Sequence, residues 1–165
     1  MTATAHPKLA MRPFLPADAP VVGEIFRASV EELAADDYDE AQRLAWASAA
    51  DEETFGSRLA SQLTLLATIG GSPVGFASLK APDEIDMLYV HPAVVRQGVA
   101  TMLVDALEKL ARARGAGRLT ADVSDTAQEF FRQRGFVPQQ RNSRRCGEEW
   151  LASTTMEKKL KGSER

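Results

Sequence analysis

The spacing of apolar positions changes several times along this chain, and each change marks a new element. Residues 9–14 are short and apolar enough for a strand. Pro16, Asp18 and Pro20 then signal a turn and a helix start, with Asp18 as the N-cap. Val21, Val22, Ile25, Phe26, Val30 and Leu33 follow at helical spacing. Asp36-Asp37-Tyr38-Asp39 breaks that helix, and Asp39 caps a second one carrying Ala41, Leu44, Ala45 and Trp46. A third short helix is predicted over residues 52–60.

Residues 63–69 and 74–79 read as strands joined by Gly70-Gly71-Ser72-Pro73, so the pair is a hairpin. Residues 84–90 (EIDMLYV) form the next strand after an Ala81-Pro82-Asp83 break. Its apolar residues do not alternate, which suits burial on both faces. Residues 101–114 carry one apolar stripe of Met102, Leu103, Ala106, Leu107, Leu110 and Ala111, stopped by Gly115 and Gly117. A strand over 119–123 leads to Ser124 or Asp125, either of which caps a helix with Ala127, Phe130 and Phe131. Strands over 137–144 and 150–158 close the chain around Gly147, and residues 162–165 are expected to fray. Hairpins and crossover helices together predict a mixed α/β (α+β) fold.

With 165 residues, the chain has the length of one domain, residues 1–165. No run of about 20 apolar residues exists, so no membrane span is expected. The start, MTATAHPKLAMRPF, lacks the apolar core of a secretory signal. A net charge of −3 lacks the positive excess of a nucleic-acid binder. Cys146, the single cysteine, excludes an internal disulfide and suits a reducing, cytoplasmic setting. With only His6 and His91 beside it, no structural metal site is expected.

The chemistry concentrates in EIDMLYVHPAVVRQGVAT, residues 84–101. A buried strand runs through a turn and a glycine into a helix. The first turn of that helix offers unpaired N–H groups and the positive end of its dipole, and Gly98 admits a close approach. That combination suits a phosphate or diphosphate. Neither GxxxxGK[ST] nor GxGxxG occurs, so nucleotide sites of those kinds are not expected.

LYVHPAVVRQGVA with the helix after it resembles the acetyl-CoA motif of the GNAT-type N-acetyltransferases. Ala127-Gln128-Glu129-Phe130-Phe131-Arg132-Gln133-Arg134-Gly135-Phe136 is similar to that family's A-x-x-[FL]-Y-x-x-x-G-F block, and Met11-Arg12-Pro13-Phe14 to its first strand. The stretch with Tyr38, Gln42 and Trp46 is similar to one bacterial subgroup of mostly unassigned substrate. The resemblance implies a three-layer domain around a mixed, mostly antiparallel sheet of six or seven strands. Residues 84–90 and 119–123 would be its parallel, splayed pair.

The resemblance also implies roles. Arg96, Gln97, Gly98, Val99, Ala100 and Thr101 would hold the diphosphate of acetyl-CoA. The backbone of Leu88, Tyr89 and Val90 would pair with its pantetheine arm, beside Phe131. Glu84 stands where several members carry a general base, and Asp86 follows on the same strand face by the period-two rule. Tyr89 would face the opposite side and serve equally well as core. Ser124 is a helix cap, a cofactor contact or a proton donor. Tyr38 and Trp46, within about 80° on a helix if the helix reaches Tyr38, would form a substrate lip or pack as core.

Two departures stand out. Val95 replaces the usual Gln or Arg at the loop start, and Phe131 replaces the tyrosine that protonates the leaving thiolate. The function implied is acetyl transfer from acetyl-CoA to a primary amine of a small molecule or peptide by direct attack. A homodimer is consistent with the family. Phe131 motivates an alternative, an acetyl-CoA-binding regulatory module without catalysis. The late basic residues Arg141, Arg144, Arg145 and 158–161 motivate a weaker one, RNA binding.

Overall fold

The computed structural model describes residues 8–160. His6, Lys161 and the fraying expected at 162–165 lie outside the described residues. Strand β1 (Leu9–Pro13) pairs antiparallel with β2 (Leu63–Ile69), and β2 with β3 (Ser72–Lys80), which pairs antiparallel with β4 (Glu84–Val90). β4 meets β5 (Arg118–Ser124) in parallel, and β7 (Glu149–Lys159) lies between β5 and the edge strand β6 (Val137–Cys146). The result is one seven-stranded sheet in the order β1-β2-β3-β4-β5-β7-β6, antiparallel except at β4–β5.

Helices cover both faces. On one, α1 (Ala19–Ala28), α2 (Glu40–Ala47) and α3 (Glu53–Ser61) bury Val22, Phe26, Trp46 and Phe55 against Leu66, Phe76 and Met87. On the other, α4 (Val99–Ala113) lays Val99, Leu103, Val104, Leu107 and Ala111 on Ala77, Ile85 and Leu119, with Phe131 of α5 (Gln128–Gln133) beside them. Each fully buried aliphatic side chain contributes roughly 1.5–3 kcal/mol. Gly75 sets how close α4 comes: a Cβ there would stand 2.9 Å from Val99 Cγ1 and 3.1 Å from the Tyr89 carbonyl oxygen. The polar exception in the α4 stripe, Glu108, accepts hydrogen bonds from Lys158 and Arg112 at 2.9 and 3.0 Å.

Several expectations need correction. Asp18 does not cap α1. Its carboxylate turns back to accept the Leu15 N–H at 2.8 Å and a two-pronged bond from Arg12, which holds it below the usual carboxylate range. The periodic run through Leu33 is not all α-helix, because residues Ser29–Leu33 widen into a π turn. Helix α4 begins two residues before the predicted start. Gly98, at φ 84°, takes the left-handed conformation that a glycine allows and releases the chain into the helix at Val99. Asp39 caps α2 as expected, exchanging hydrogen bonds with Gln42. Because α2 starts at Glu40, Tyr38 is not on the helix that carries Trp46. The two rings nevertheless meet edge to face, 5.2 Å apart, both buried.

The consequential departure is in β4. Ser78 of β3 faces Met87, but Leu79 faces Ile85, so Asp86 is an extra residue. Such a bulge shifts the alternation downstream by one. Ile85, Leu88 and Val90 therefore pack with the α4 layer, while Met87 and Tyr89 pack with α1–α3. Tyr89 thus shares its side of the sheet with Glu84 and Asp86 instead of opposing them; all three line one cavity.

Candidate active site

β4 and β5 pair only at Glu84–Thr120 and Ile85–Ala121. Beyond that the two strands part, and residues 87–90 and 122–124 have no cross-strand partner on the facing side. Two cavities meet in this opening. One, of about 300 Å³, lies under α1–α3 and is lined by Phe26, Phe55, Arg58, Glu84, Asp86, Asp122 and Phe131, among others. The other, of about 680 Å³, is a groove between the end of α1 and the start of α4. Trp46, Leu88, Tyr89, Ser124 and Ala127 line both.

The polar end of the groove is the loop between β4 and α4. His91 Nδ1 accepts the Ala93 N–H at 3.0 Å and so fixes the turn at Pro92–Val94. Arg96 then adopts φ 67° and Gly98 φ 84°. The N–H groups of residues 96–101 have no backbone acceptor among the described residues, whereas the Met102 N–H already bonds to the Gly98 carbonyl. A row of free donors at the start of a 15-residue helix has the geometry and dipole that suit an anion. Val94, Val95, Arg96, Gly98, Val99, Ala100 and Thr101 line the groove; Gln97 is exposed and off it. Phe131, expected beside the cofactor, lines the smaller cavity, and its neighbour Phe130 lines the groove.

In the smaller cavity the two carboxylates of β4 differ. Asp86 accepts 2.7 and 2.8 Å bonds from Arg58 Nε and Nη2, and a 2.8 Å bond from Gln62. Burial pushes its carboxyl up, but the Arg58 and Gln62 bonds and the Arg58 charge outweigh that and hold it below the usual range. Glu84, on the same cavity wall, has no ion pair and no side-chain hydrogen bond among the described residues. Arg58 is the residue that sequence reasoning missed: nothing local marks an arginine on α3 as the partner of a strand carboxylate.

Arg58→Ala is expected to destabilise the protein by about 1.5–3 kcal/mol at pH 7, the range for a hydrogen bond to a charged group. Asp86 has a depressed folded pKa, so this stability is present above the unfolded value and lost as pH falls through the folded one. Thermal unfolding should therefore show the gap between variant and wild type shrinking from pH 7 toward pH 3.

Tyr38 is buried and lines the smaller cavity. Its hydroxyl donates to the Ala152 carbonyl at 2.5 Å and accepts the Asp125 N–H at 2.9 Å, tying α2's entry to β7 and to the end of β5. Trp46 is likewise core, 7% exposed, though its ring reaches both cavities. Ser124 Oγ accepts the Ala127 N–H at 3.2 Å, so it caps the turn before α5, while Asp125 pairs with Arg141. Lys158 pairs with Glu108 and Arg145 stacks on Trp150, so these two late basic residues make contacts within the fold.

Comparison with known proteins agrees with this geometry. The family described as acetyltransferase (GNAT) domain matches residues 34–160. The uncharacterized N-acetyltransferase YafP of Escherichia coli K12 is 34% identical over 146 residues, which are 88% of this chain and 93% of that protein. A crystal structure from Rhodopseudomonas palustris, named as a GCN5-related N-acetyltransferase and a class-II aminotransferase, superposes with a TM-score of 0.91 at 59% identity. It covers 96% of this chain and 100% of its own. PaiA N-acetyltransferase of Thermoplasma acidophilum, solved with coenzyme A, shares the fold at a TM-score of 0.77 and 20% identity over 92% of this chain and 99% of its own. With its parallel strands parting at the sheet centre and a free helix start beside them, the chain belongs to the GNAT family of N-acetyltransferases.

Proposed function

We propose that this chain, as one acetyltransferase domain, moves the acetyl group of acetyl-CoA to a primary amine of a small molecule or peptide by direct attack. The observation that carries the reading is the meeting of two cavities where β4 and β5 part. Two substrates, one in each cavity, would touch there, and holding them together removes much of the entropic barrier.

The residues present fit the cofactor. The N–H groups of 98–101 would hold the diphosphate, with Arg96 adding charge at the rim. No Cβ stands between Gly98 and the groove. The free backbone edge of Leu88, Tyr89 and Val90 would pair with the pantetheine arm. When bound, acetyl-CoA supplies the activated acetyl thioester. Backbone N–H groups of the parted strand would polarise its carbonyl. Glu84 would take the proton of the attacking amine, directly or through water. Asp86 is already held by Arg58 and Gln62, and fits a role in placing Glu84's surroundings better than a role as base.

The test is thiol release from acetyl-CoA against a panel of small amines and short peptides. Release with at least one amine supports the reading. Thermal stabilisation by acetyl-CoA with no release from any amine favours the alternative, a binding module without catalysis, which Phe131 motivates.

Phe131 is 4% exposed, edge to face with Phe130 and Phe136 at 5.5 and 5.0 Å. Neither ring it packs on offers a polar partner to an added hydroxyl. Phe131→Tyr is therefore expected to lower stability by about 1–3 kcal/mol and leave kcat no higher than wild type. Melting temperature and turnover measured on the same variant check this; a faster enzyme would place the proton donor at residue 131.

A further inference from the structure

Amide formation by direct attack releases CoA as a thiolate, and the fold must protonate it. Resting on the proposed acetyl transfer, the question is which side chain has a proton to give at the opening between β4 and β5. Five neutral groups with an acidic hydrogen line the smaller cavity: Tyr38, Tyr89, Ser124, Cys146 and Ser153. Three of them have spent that hydrogen. Tyr38 donates to the Ala152 carbonyl at 2.5 Å, Ser153 to Asp122 at 2.6 Å, and Cys146 to the Ala45 carbonyl at 3.3 Å. Tyr89 and Ser124 remain, and they are also the two that line the cofactor groove.

Between these, the environment of Tyr89 favours it. Its ring meets Trp46 edge to face, with centres 6.4 Å apart, at the junction of the two cavities. Among the described residues no acceptor takes the phenolic hydrogen, which is left to be given. A phenol is also a far stronger acid than a serine hydroxyl, so its proton is the easier one to give to a thiolate. The bulge at Asp86 is what turns Tyr89 to this side of the sheet.

We infer that Tyr89 is the catalytic acid that protonates the departing CoA thiolate. The amine nitrogen bonds to the acetyl carbon and the carbon–sulfur bond breaks. Glu84 takes the proton lost by the amine. The Tyr89 O–H bond breaks as the S–H bond forms, and the phenolate regains a proton from solvent, into which Glu84 releases its own. Acetyl-CoA and amine become amide and CoA thiol with no other reactant. The charged groups facing the Tyr89 hydroxyl are Arg58 of α3, Arg144 of β6 and Asp86 of β4, with Glu84 on the same cavity wall. Burial holds the phenol above its usual pKa, and the charges of Arg144 and Arg58 oppose that only in part.

The experiment starts from wild-type turnover with an accepted amine; no turnover with any amine would defeat the acetyl-transfer reading itself, not the role of Tyr89. Tyr89→Phe should then lose about a hundredfold or more in kcat, the scale of general acid catalysis, with the Kd for acetyl-CoA and the melting temperature nearly unchanged. Ser124→Ala should keep kcat within about threefold, since a capping hydroxyl carries no proton-transfer step. Tyr38 and Tyr89 are the only tyrosines. Incorporating 3-fluorotyrosine, a more acidic phenol, should move the basic limb of kcat to lower pH in wild type and in Tyr38→Phe. The residual activity of Tyr89→Phe should be insensitive to it. A Tyr89→Phe enzyme with near wild-type kcat, a loss confined to acetyl-CoA affinity, a large loss in Ser124→Ala instead, or a limb that does not respond to fluorination would each overturn the assignment.

Discussion

Gly98→Asp should lose CoA affinity by roughly a hundredfold or more while the protein stays folded. Gly98 sits at φ 84°, a region that aspartate and asparagine tolerate better than most side chains, and a Cβ there meets nothing within 4 Å. The substitution therefore has room; its backbone strain is shared with Gly98→Asn, and the difference between the two variants is electrostatic. It places a carboxylate at the helix start where the N–H groups of 98–101 stand free. Two like charges about 4 Å apart cost about 1 kcal/mol in water and about 4 at a protein surface, and a diphosphate carries more than one. Gly98→Asn supplies the same shape without the charge and should retain measurable binding. Calorimetric titration with CoA, beside a melting curve, separates the two variants. Unchanged affinity in Gly98→Asp would remove the groove as the diphosphate site.

Glu84→Gln should lower kcat by about 10²–10⁴-fold at pH 7, the span of general base catalysis, and leave acetyl-CoA affinity nearly unchanged. Glu84 lines the smaller cavity and not the cofactor groove, which is why binding and turnover should separate. The loss should shrink as pH rises, because an alkyl amine near pKa 10.4 then sheds its proton to water. Asp86 offers no replacement at pH 7, with its two oxygens engaged by Arg58 and Gln62. Equal activity of variant and wild type across that range would move the base role away from Glu84, to Asp86 or to water alone.

What the sequence made legible was local. The run from Tyr89 to Ala113 could be read because a glycine, a proline and a 3.6-residue stripe each act within one turn of chain. The hairpin at Gly70-Gly71 and the closing pair around Gly147 are of the same kind. The Asp86 bulge could not be read, because the extra residue exists only relative to Ser78 and Leu79 across the sheet. Period-two counting along EIDMLYV therefore put Tyr89 on the wrong side. The ties that make Tyr38 structural span 87 and 114 positions of chain, and those that occupy Asp86 span 28 and 24. Their energies depend on geometry that no window of neighbours contains. Trp46 and Tyr89 were visible as aromatics, but their mutual contact, with ring centres 6.4 Å apart, follows from α2 crossing β4.

The bulge also gives β4 a parity. Upstream of Asp86 the strand is in one phase, with Ile85 toward α4; downstream it is in the other, with Leu88 and Val90 toward α4. The strand can therefore lose one residue at Asp86 without turning any other side chain. With that residue gone, Ile85 and Met87 would alternate regularly, and Glu84 and Tyr89 would still share a side. A single deletion at Ile85 or Met87 would instead put a charged or bulky side chain into the wrong layer unless the bulge closed in compensation. Among homologous chains that keep both groups at the junction of the cavities, single-residue length differences within this strand should accordingly fall at the position of Asp86.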